Sequence, residues 1–278
     1  MKKLFLFLFL LLCVASLPGE DSSSRILEHV SDGKNWAPLP FFPEVKLHDI
    51  NIIGHRIPFT KHVLMLFISG GILAVTGIFV GRSVDLVPHG IASFIEPIVL
   101  FIRDSILVPM MGVEHADGWI DFFSTLFLFI LTTNAIGLIP LFSTATANIN
   151  ITLGLAFIIL ILTLFVGISK FGPIGFLKSM SPHGIPKPIA FFIVLIEVSG
   201  LFIKNFVLAI RLFANMLAGH FVIISLLALI FIVHPLAALI SIPLALFISL
   251  LESLVVLIQA FVFTLLSAIF ISMASAEH

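Results

Sequence analysis

Long apolar runs, separated by short polar interruptions, dominate this chain. Residues 63–80 form the first uninterrupted run, which closes on Gly81 and Arg82. A run of about 20 apolar residues matches the hydrocarbon thickness of a bilayer, so a membrane-spanning helix is predicted here. Its Gly70-Gly71 pair permits close helix packing. Further spans are predicted over 119–142 and 149–169, joined by a short uncharged turn at 143–148. Residues 188–273 are almost continuously apolar and are broken mainly at His234-Pro235. Pro cannot continue a regular helix, so 188–234 and 236–273 read as separate segments. At about 1.5 Å per residue the first would reach roughly 70 Å if wholly helical. The hydrocarbon core is only about 30 Å thick. Either each segment hides a turn, or both helices lie strongly tilted.

Residues 84–108 break the pattern. His89, Glu96 and Arg103 recur every seven residues within an apolar stretch. Seven residues are close to two helical turns, so the three share one face. Such a helix suits the membrane interface better than a crossing; a kinked span is the other reading. Pro97 marks a bend or a helix start. The predicted fold is therefore an all-α multi-pass membrane protein, with about five membrane helices plus an interfacial amphipathic helix. No internal repeat is evident, which weighs against a transporter built from two halves.

Composition agrees with this picture. The chain is 60% hydrophobic and 10% charged, whereas soluble domains carry about 25% charged residues. A net charge of -1 gives no reason to expect a nucleic-acid partner. The one cysteine, Cys13, excludes an intramolecular disulfide and a multi-Cys metal site. No GxxxxGK[ST] sequence is present, so no nucleotide site is expected. Neither cofactor nor metal is expected, and no enzymatic activity in the chain alone.

Charge also orients the chain. Lys170, Lys178 and Lys187 fall in a loop, 170–187, that holds no acid. Positive-inside bias puts that loop in the cytoplasm. Counting back places 143–148 outside, 82–118 inside and the N-terminal arm outside. Residues 1–19 agree, with Lys2 and Lys3 followed by an apolar run and then Ala15 and Ser16. That is a secretory signal layout, cleaved near Ala15 or Gly19; an uncleaved anchor is the other reading. Residues 20–56, with Pro38, Pro40 and Pro43, read as an extracytoplasmic arm. Residues 57–278 form the membrane-embedded domain, with a cytoplasmic C-terminus.

Between Pro188 and Ala276 the charged or imidazole side chains are Glu197, Lys204, Arg211, His220, His234 and Glu252. A charge near mid-bilayer costs between about 3 and more than 10 kcal/mol, so such residues need partners or water. At about 100° per residue, Glu197, Lys204, Arg211 and Asn215 fall within roughly 40° of one another. Gly200 and Ala218 flank this stripe, which another surface could therefore approach closely. His220 points nearly opposite Arg211. Glu252 and Gln259 share a face of the next helix, and His220 meets Glu252 if the two helices pack antiparallel. A titratable His–carboxylate pair suits proton exchange near neutral pH; a satisfied structural pair is the bland alternative. Glu197 is about 20 Å from Arg211 along the helix, so the guanidinium predicts a carboxylate on another subunit. For Glu197 and Lys204 an ion pair serving assembly is an equal reading.

At this point a resemblance is legible. Residues 211–220, Arg-Leu-Phe-Ala-Asn-Met-Leu-Ala-Gly-His, resemble the R-L-F-x-N-M-x-A-G segment of F-type ATP synthase subunit a. Leu257-Ile258-Gln259-Ala260-Phe261-Val262-Phe263 resembles that family's L-Q-A-F-I-F run. Thr132-Thr133-Asn134 and residues 147–152 are weaker matches. Some relatives carry an acid at position 220 and a His at 252, the reverse of the pair here.

The resemblance implies a bacterial inner-membrane Fo subunit abutting a rotating c-subunit ring. The implied partners are that ring, b subunits of the peripheral stalk and, indirectly, the F1 sector. It implies two half-channels: an outer one lined by Asn134, Asn148, Asn150, Asn215, His220, Glu252 and Gln259, and an inner one near Glu197. It implies that Arg211 faces the ring carboxylate. A standalone channel or secondary transporter, and an assembly scaffold, are the competing functions.

Overall fold

The computed structural model describes residues 33, 35–36, 45–47, 50–52, 55–57, 59–82, 89–139, 142–180, 186–232 and 235–275. The expected signal peptide with Cys13, most of the arm, and His234 lie outside them. Two short antiparallel pairs punctuate the arm: β1 (Asn35–Trp36) with β2 (Val45–Lys46), and β3 (Ile50–Ile52) with β4 (His55–Ile57). Beyond them the described residues are mostly helical.

Among the described residues, five helices are long and apolar enough to cross a membrane, as the runs of the sequence predict. These are α1 (Lys61–Arg82), α4 (Val113–Gly137), α5 (Ile149–Ser179), α6 (Lys187–Ile232) and α7 (Ala238–Ser275). Between α1 and α4 come α2 (Ala92–Ile102), a π-helical turn (Arg103–Leu107) and α3 (Val108–Met111). The 11 residues of α2 would rise only about 16 Å, too short to span, which favours the interfacial reading. Pro97 sits inside α2 rather than at its start.

Helix α6 runs unbroken for 46 residues and α7 for 38, so neither hides a turn. The apolar stretch Pro188–Leu226 has 39 residues, about 58 Å of helix. Held within about 30 Å of hydrocarbon, such a helix leans roughly 60° from the membrane normal. The break between α6 and α7 falls where the sequence places it, with α6 ending at Ile232 and a 3-10 turn at Pro235–Ala237.

Helix α5 corrects one expectation. The loop expected from residue 170 is helical as far as Ser179, across a kink at Gly172. Gly172 has φ 71 and ψ 166, a conformation open essentially to glycine alone. Pro173 then starts a new turn, which folds back until the Phe176 ring lies over Gly167. Helix α4 also differs: it begins six residues before Trp119 and stops at Gly137, ahead of Pro140.

The chain forms two compact units. The first comprises Met1–Ala74, Phe129–Asn148 and Phe213–Gln259. Its core holds Ala147, Met216 and Val256 against Leu131, Leu138 and Leu217. A second cluster, Ile223 and Ile230 with Ala238, Ile242 and Ile248, closes the α6–α7 bend. The second unit comprises Val75–Leu128, Ile149–Leu212 and Ala260–His278. There Arg103 pairs with Asp117 at 2.8 Å and with Asp104 at 3.0 Å, tying the π-helical turn to α4. The Lys170 ammonium donates to the Ser275 carbonyl at 2.8 Å, and the Ser272 hydroxyl to that of Met110.

Candidate functional site

Where α6 packs antiparallel on α7, several of the residues expected along the outer path lie within the first unit. Asn215 Nδ2 donates to Gln259 Oε1 at 2.9 Å. One helical turn further along α6, Gly219 lies against the carboxylate of Glu252. A Cβ at 219 would collide with that carboxylate, so glycine makes room for the acid. Glu252 is 7% exposed, and neither carboxylate oxygen has a hydrogen-bond donor among the described residues. A buried carboxylate without a donor is expensive in any protein and more so in a membrane.

His220 follows Gly219 directly but makes no hydrogen bond to Glu252. Its Nδ1 lies 3.4 Å from Thr144 Oγ1, and that hydroxyl also donates to the Gly137 carbonyl at 3.4 Å. The two members of the predicted pair are thus neighbours across one glycine rather than bonded partners.

The segment between α4 and α5 supplies the rest. After a short 3-10 turn at Ala145–Ala147, its polar side chains reach three different helices. Thr144 meets His220 of α6, as above. Thr146 Oγ1 donates to Asn134 Oδ1 of α4 at 2.7 Å. Asn148 Nδ2 lies 3.4 Å from His62 Nδ1 of α1. Asn134, Thr144, Thr146, His62 and Lys61 are all buried. Asn134 Nδ2 and Gln259 Nε2 have no acceptor among the described residues. These groups are hydroxyls, amides and imidazoles set among apolar helices.

Sequence reasoning missed Thr144, Thr146, Lys61 and His62. The alternation Thr-Ala-Thr-Ala-Asn over 144–148 is a usable signal for the first two. Lys61 and His62 stand where ordinary interfacial residues stand, and nothing in the sequence marks them as buried.

The remaining predicted residues lie in the second unit. Asn150 is exposed in the first turn of α5. Glu197 and Lys204 form an ion pair at 3.4 Å, with both side chains more than 40% exposed. At that exposure the pair contributes little to stability. Arg211 is exposed on α6, inside the apolar stretch, and makes no hydrogen bond or ion pair with any described residue.

Comparison with known proteins gives a consistent result. Residues 63–272 match the family described as ATP synthase A chain. The chain is 42% identical over 223 residues to ATP synthase subunit a of Anaeromyxobacter dehalogenans, covering 79% of this chain and 58% of that protein. To ATP synthase subunit a of Chloroherpeton thalassium it is 42% identical over 259 residues, 91% of this chain and 77% of that protein. To ATP synthase subunit a 2 of Chlorobaculum tepidum it is 38% identical over 265 residues, 93% and 74%. The chain therefore spans a little over half the length of the Anaeromyxobacter relative.

Proposed function

The chain belongs to the ATP synthase A chain family, and on that premise we propose that it is the proton-conducting subunit of the Fo sector of an F-type ATP synthase. Its work is to lead protons to and from a carboxylate carried by a neighbouring ring of c subunits. Other partners are b subunits of the peripheral stalk and, indirectly, the F1 sector. The chain sits in a bacterial inner membrane, its N-terminal arm outside and its C-terminus in the cytoplasm. Residues 1–19 are a signal peptide, 20–56 the arm and 57–278 the membrane domain.

One observation carries this reading. Arg211 is an exposed cation on a membrane helix, without a partner among the described residues. A guanidinium at such a depth costs several kcal/mol unless a counter-charge meets it. A standalone channel or transporter has to supply that counter-charge itself. A ring carboxylate from another chain supplies it instead, and leaves again as the ring turns.

The chemistry follows from the residue types. Protons enter from outside along Asn134, Asn148, Asn150, Asn215, His220, Glu252 and Gln259. A proton neutralises the ring carboxylate, which can then face lipid. After nearly a full turn the carboxylate releases its proton through an inner path near Glu197. Arg211 separates the two paths: it stays protonated at any working pH and cannot relay a proton between them. At 4 Å and an effective dielectric of about 20 it attracts a bare carboxylate by about 4 kcal/mol. That favours deprotonation of the arriving acid; the attraction must stay moderate for the ring to move on, and the driving force is about 2.3 kcal/mol per proton per 100 mV.

The test is ATP-driven proton pumping in inverted membrane vesicles. Arg211→Ala abolishes coupled pumping. Arg211→Lys also fails, because an ammonium lacks the fork geometry and loses its proton more readily. Normal coupled pumping by Arg211→Ala refutes the assignment.

A further inference from the structure

We propose that the cleft between α5 and α6 receives a membrane-spanning helix of a neighbouring subunit outside the ring, held by a hydroxyl or amide donor that this helix brings to Asn205. That the ring lies elsewhere rests on the reading of Arg211 given above.

Asn205 is 3% exposed. Its Nδ2 donates to the Leu201 carbonyl, one turn back in the same helix, at 2.9 Å. Its Oδ1 has no donor among the described residues. A buried carbonyl oxygen without a donor is costly, and in hydrocarbon no water is at hand to supply one. The side chain lines a cavity of about 370 Å³, whose walls include Ala156, Phe157 and Leu160 of α5 and Phe202 and Phe206 of α6. All of these residues belong to the second unit. Apart from Asn205, every residue of the wall is apolar. Phe157, Phe202 and Phe206 are each at least half exposed, so the cleft opens outward from this chain. Rotation of the Phe202 or Phe206 ring opens the Asn205 oxygen to a side chain entering the cleft.

Depth selects the occupant. Asn205 lies near the midpoint of the apolar stretch Pro188–Leu226. Leu160 lies about 16 Å along α5 from the start of its span at Ile149. Both positions fall near the centre of a hydrocarbon core about 30 Å thick. Phospholipids carry their hydrogen-bond donors in the headgroups, about 15 Å from that centre, and acyl chains have none. A donor at this depth therefore comes from a side chain, and Ser, Thr, Asn and Gln are the residues that bond across membrane helices. Position around α6 excludes the ring. At about 100° per residue, Asn205 lies about 100° from Lys204, and Phe202 and Phe206 about 160° from it. The stripe of Glu197, Lys204 and Arg211 thus faces one side of α6 and the cleft another.

Photo-cross-linking in the purified, assembled complex tests this. Phe157→p-benzoylphenylalanine and Phe206→p-benzoylphenylalanine, made separately, should attach to one and the same membrane-spanning helix of a subunit other than c, close to a Ser, Thr, Asn or Gln. Adducts only with the c subunit, with a second copy of this chain or with lipid overturn the proposal. Asn205→Leu should lower the yield of the expected adduct about fivefold, the worth of one interhelical hydrogen bond. Asn205→Gln keeps a carbonyl acceptor and should lower it less. A cleft filled by packing alone predicts an undiminished yield in Asn205→Leu, and that result overturns the role given to Asn205. If the Leu variant does not assemble, the adducts formed with Asn205 in place still decide. Failure of the ring reading shows separately, as coupled pumping that survives Arg211→Ala.

Discussion

Replacing Gly219 with alanine would set a methyl carbon 2.6 Å from Glu252 Cδ and 3.2 Å from its Cγ, whereas ordinary contacts lie at 3.4–4 Å. The carboxyl group must then retreat by about 1 Å. Crowding of this kind costs about 1–3 kcal/mol. Alanine's better helix propensity returns up to about 1 kcal/mol. The net penalty is at most about 3 kcal/mol, so the subunit is expected to fold and assemble. Transport suffers more, because Glu252 has no hydrogen bond among the described residues to guide it to a new position. A displacement of about 1 Å can cost up to about 100-fold where geometry governs a transfer step. We expect a loss of about tenfold in ATP-driven pumping and in passive flux, with normal amounts of assembled complex. Glu252→Asp, one methylene shorter, should recover part of that loss when combined with Gly219→Ala, although it is harmful alone. Unchanged flux in Gly219→Ala, or a double variant worse than both singles, refutes the idea that glycine is there to admit the acid.

Exchanging His220→Glu with Glu252→His should retain more proton flux than either single change, because the swap keeps one imidazole and one carboxylate across the same glycine. Asn215→Leu combined with Gln259→Leu should cost no more flux than the worse single change, since the two side chains share one hydrogen bond. Gly172→Ala should lower the thermal stability of the purified complex by about 1–3 kcal/mol, the usual cost of forcing that backbone conformation on a residue with a Cβ. Gly154→Ala, in open helical surroundings, should be neutral or slightly stabilising. Mass spectrometry of the mature chain should show it shortened by 15 to 19 residues; an intact Met1 refutes the signal-peptide reading.

The spans were legible because bilayer thickness imposes a minimum apolar length, and each of the five runs meets it. Pro235 fell at the α6–α7 bend, where a ring without an N–H cannot continue the α6 ladder, although Pro97 lies inside α2 and Pro243 near the start of α7. Gly172 was passed over because glycine is common in membrane helices; only its positive φ reveals a hinge. The site divides in the same way. Arg211, His220, Glu252 and Gln259 stood out because ionisable or amide groups are scarce in such apolar surroundings. Asn215 meets Gln259, whereas the phase reading placed Asn215 on the Arg211 stripe and sent His220 to Glu252. His62 and Lys61 did not stand out, because a basic residue at the end of a span is commonplace until its burial is seen. The contact of Glu252 with Gly219, rather than with His220, depends on how deeply two helices nest, and no periodicity encodes that depth.

Surface connections usually absorb insertions and deletions without harm. The stretch holding Thr144, Thr146 and Asn148 cannot, because three residues at fixed intervals each grip a different helix. Adding or removing one residue there would misalign at least two of the three grips at once. This short connection should therefore tolerate changes of side chain better than changes of length, and a gene library that varies its size should return very few functional clones.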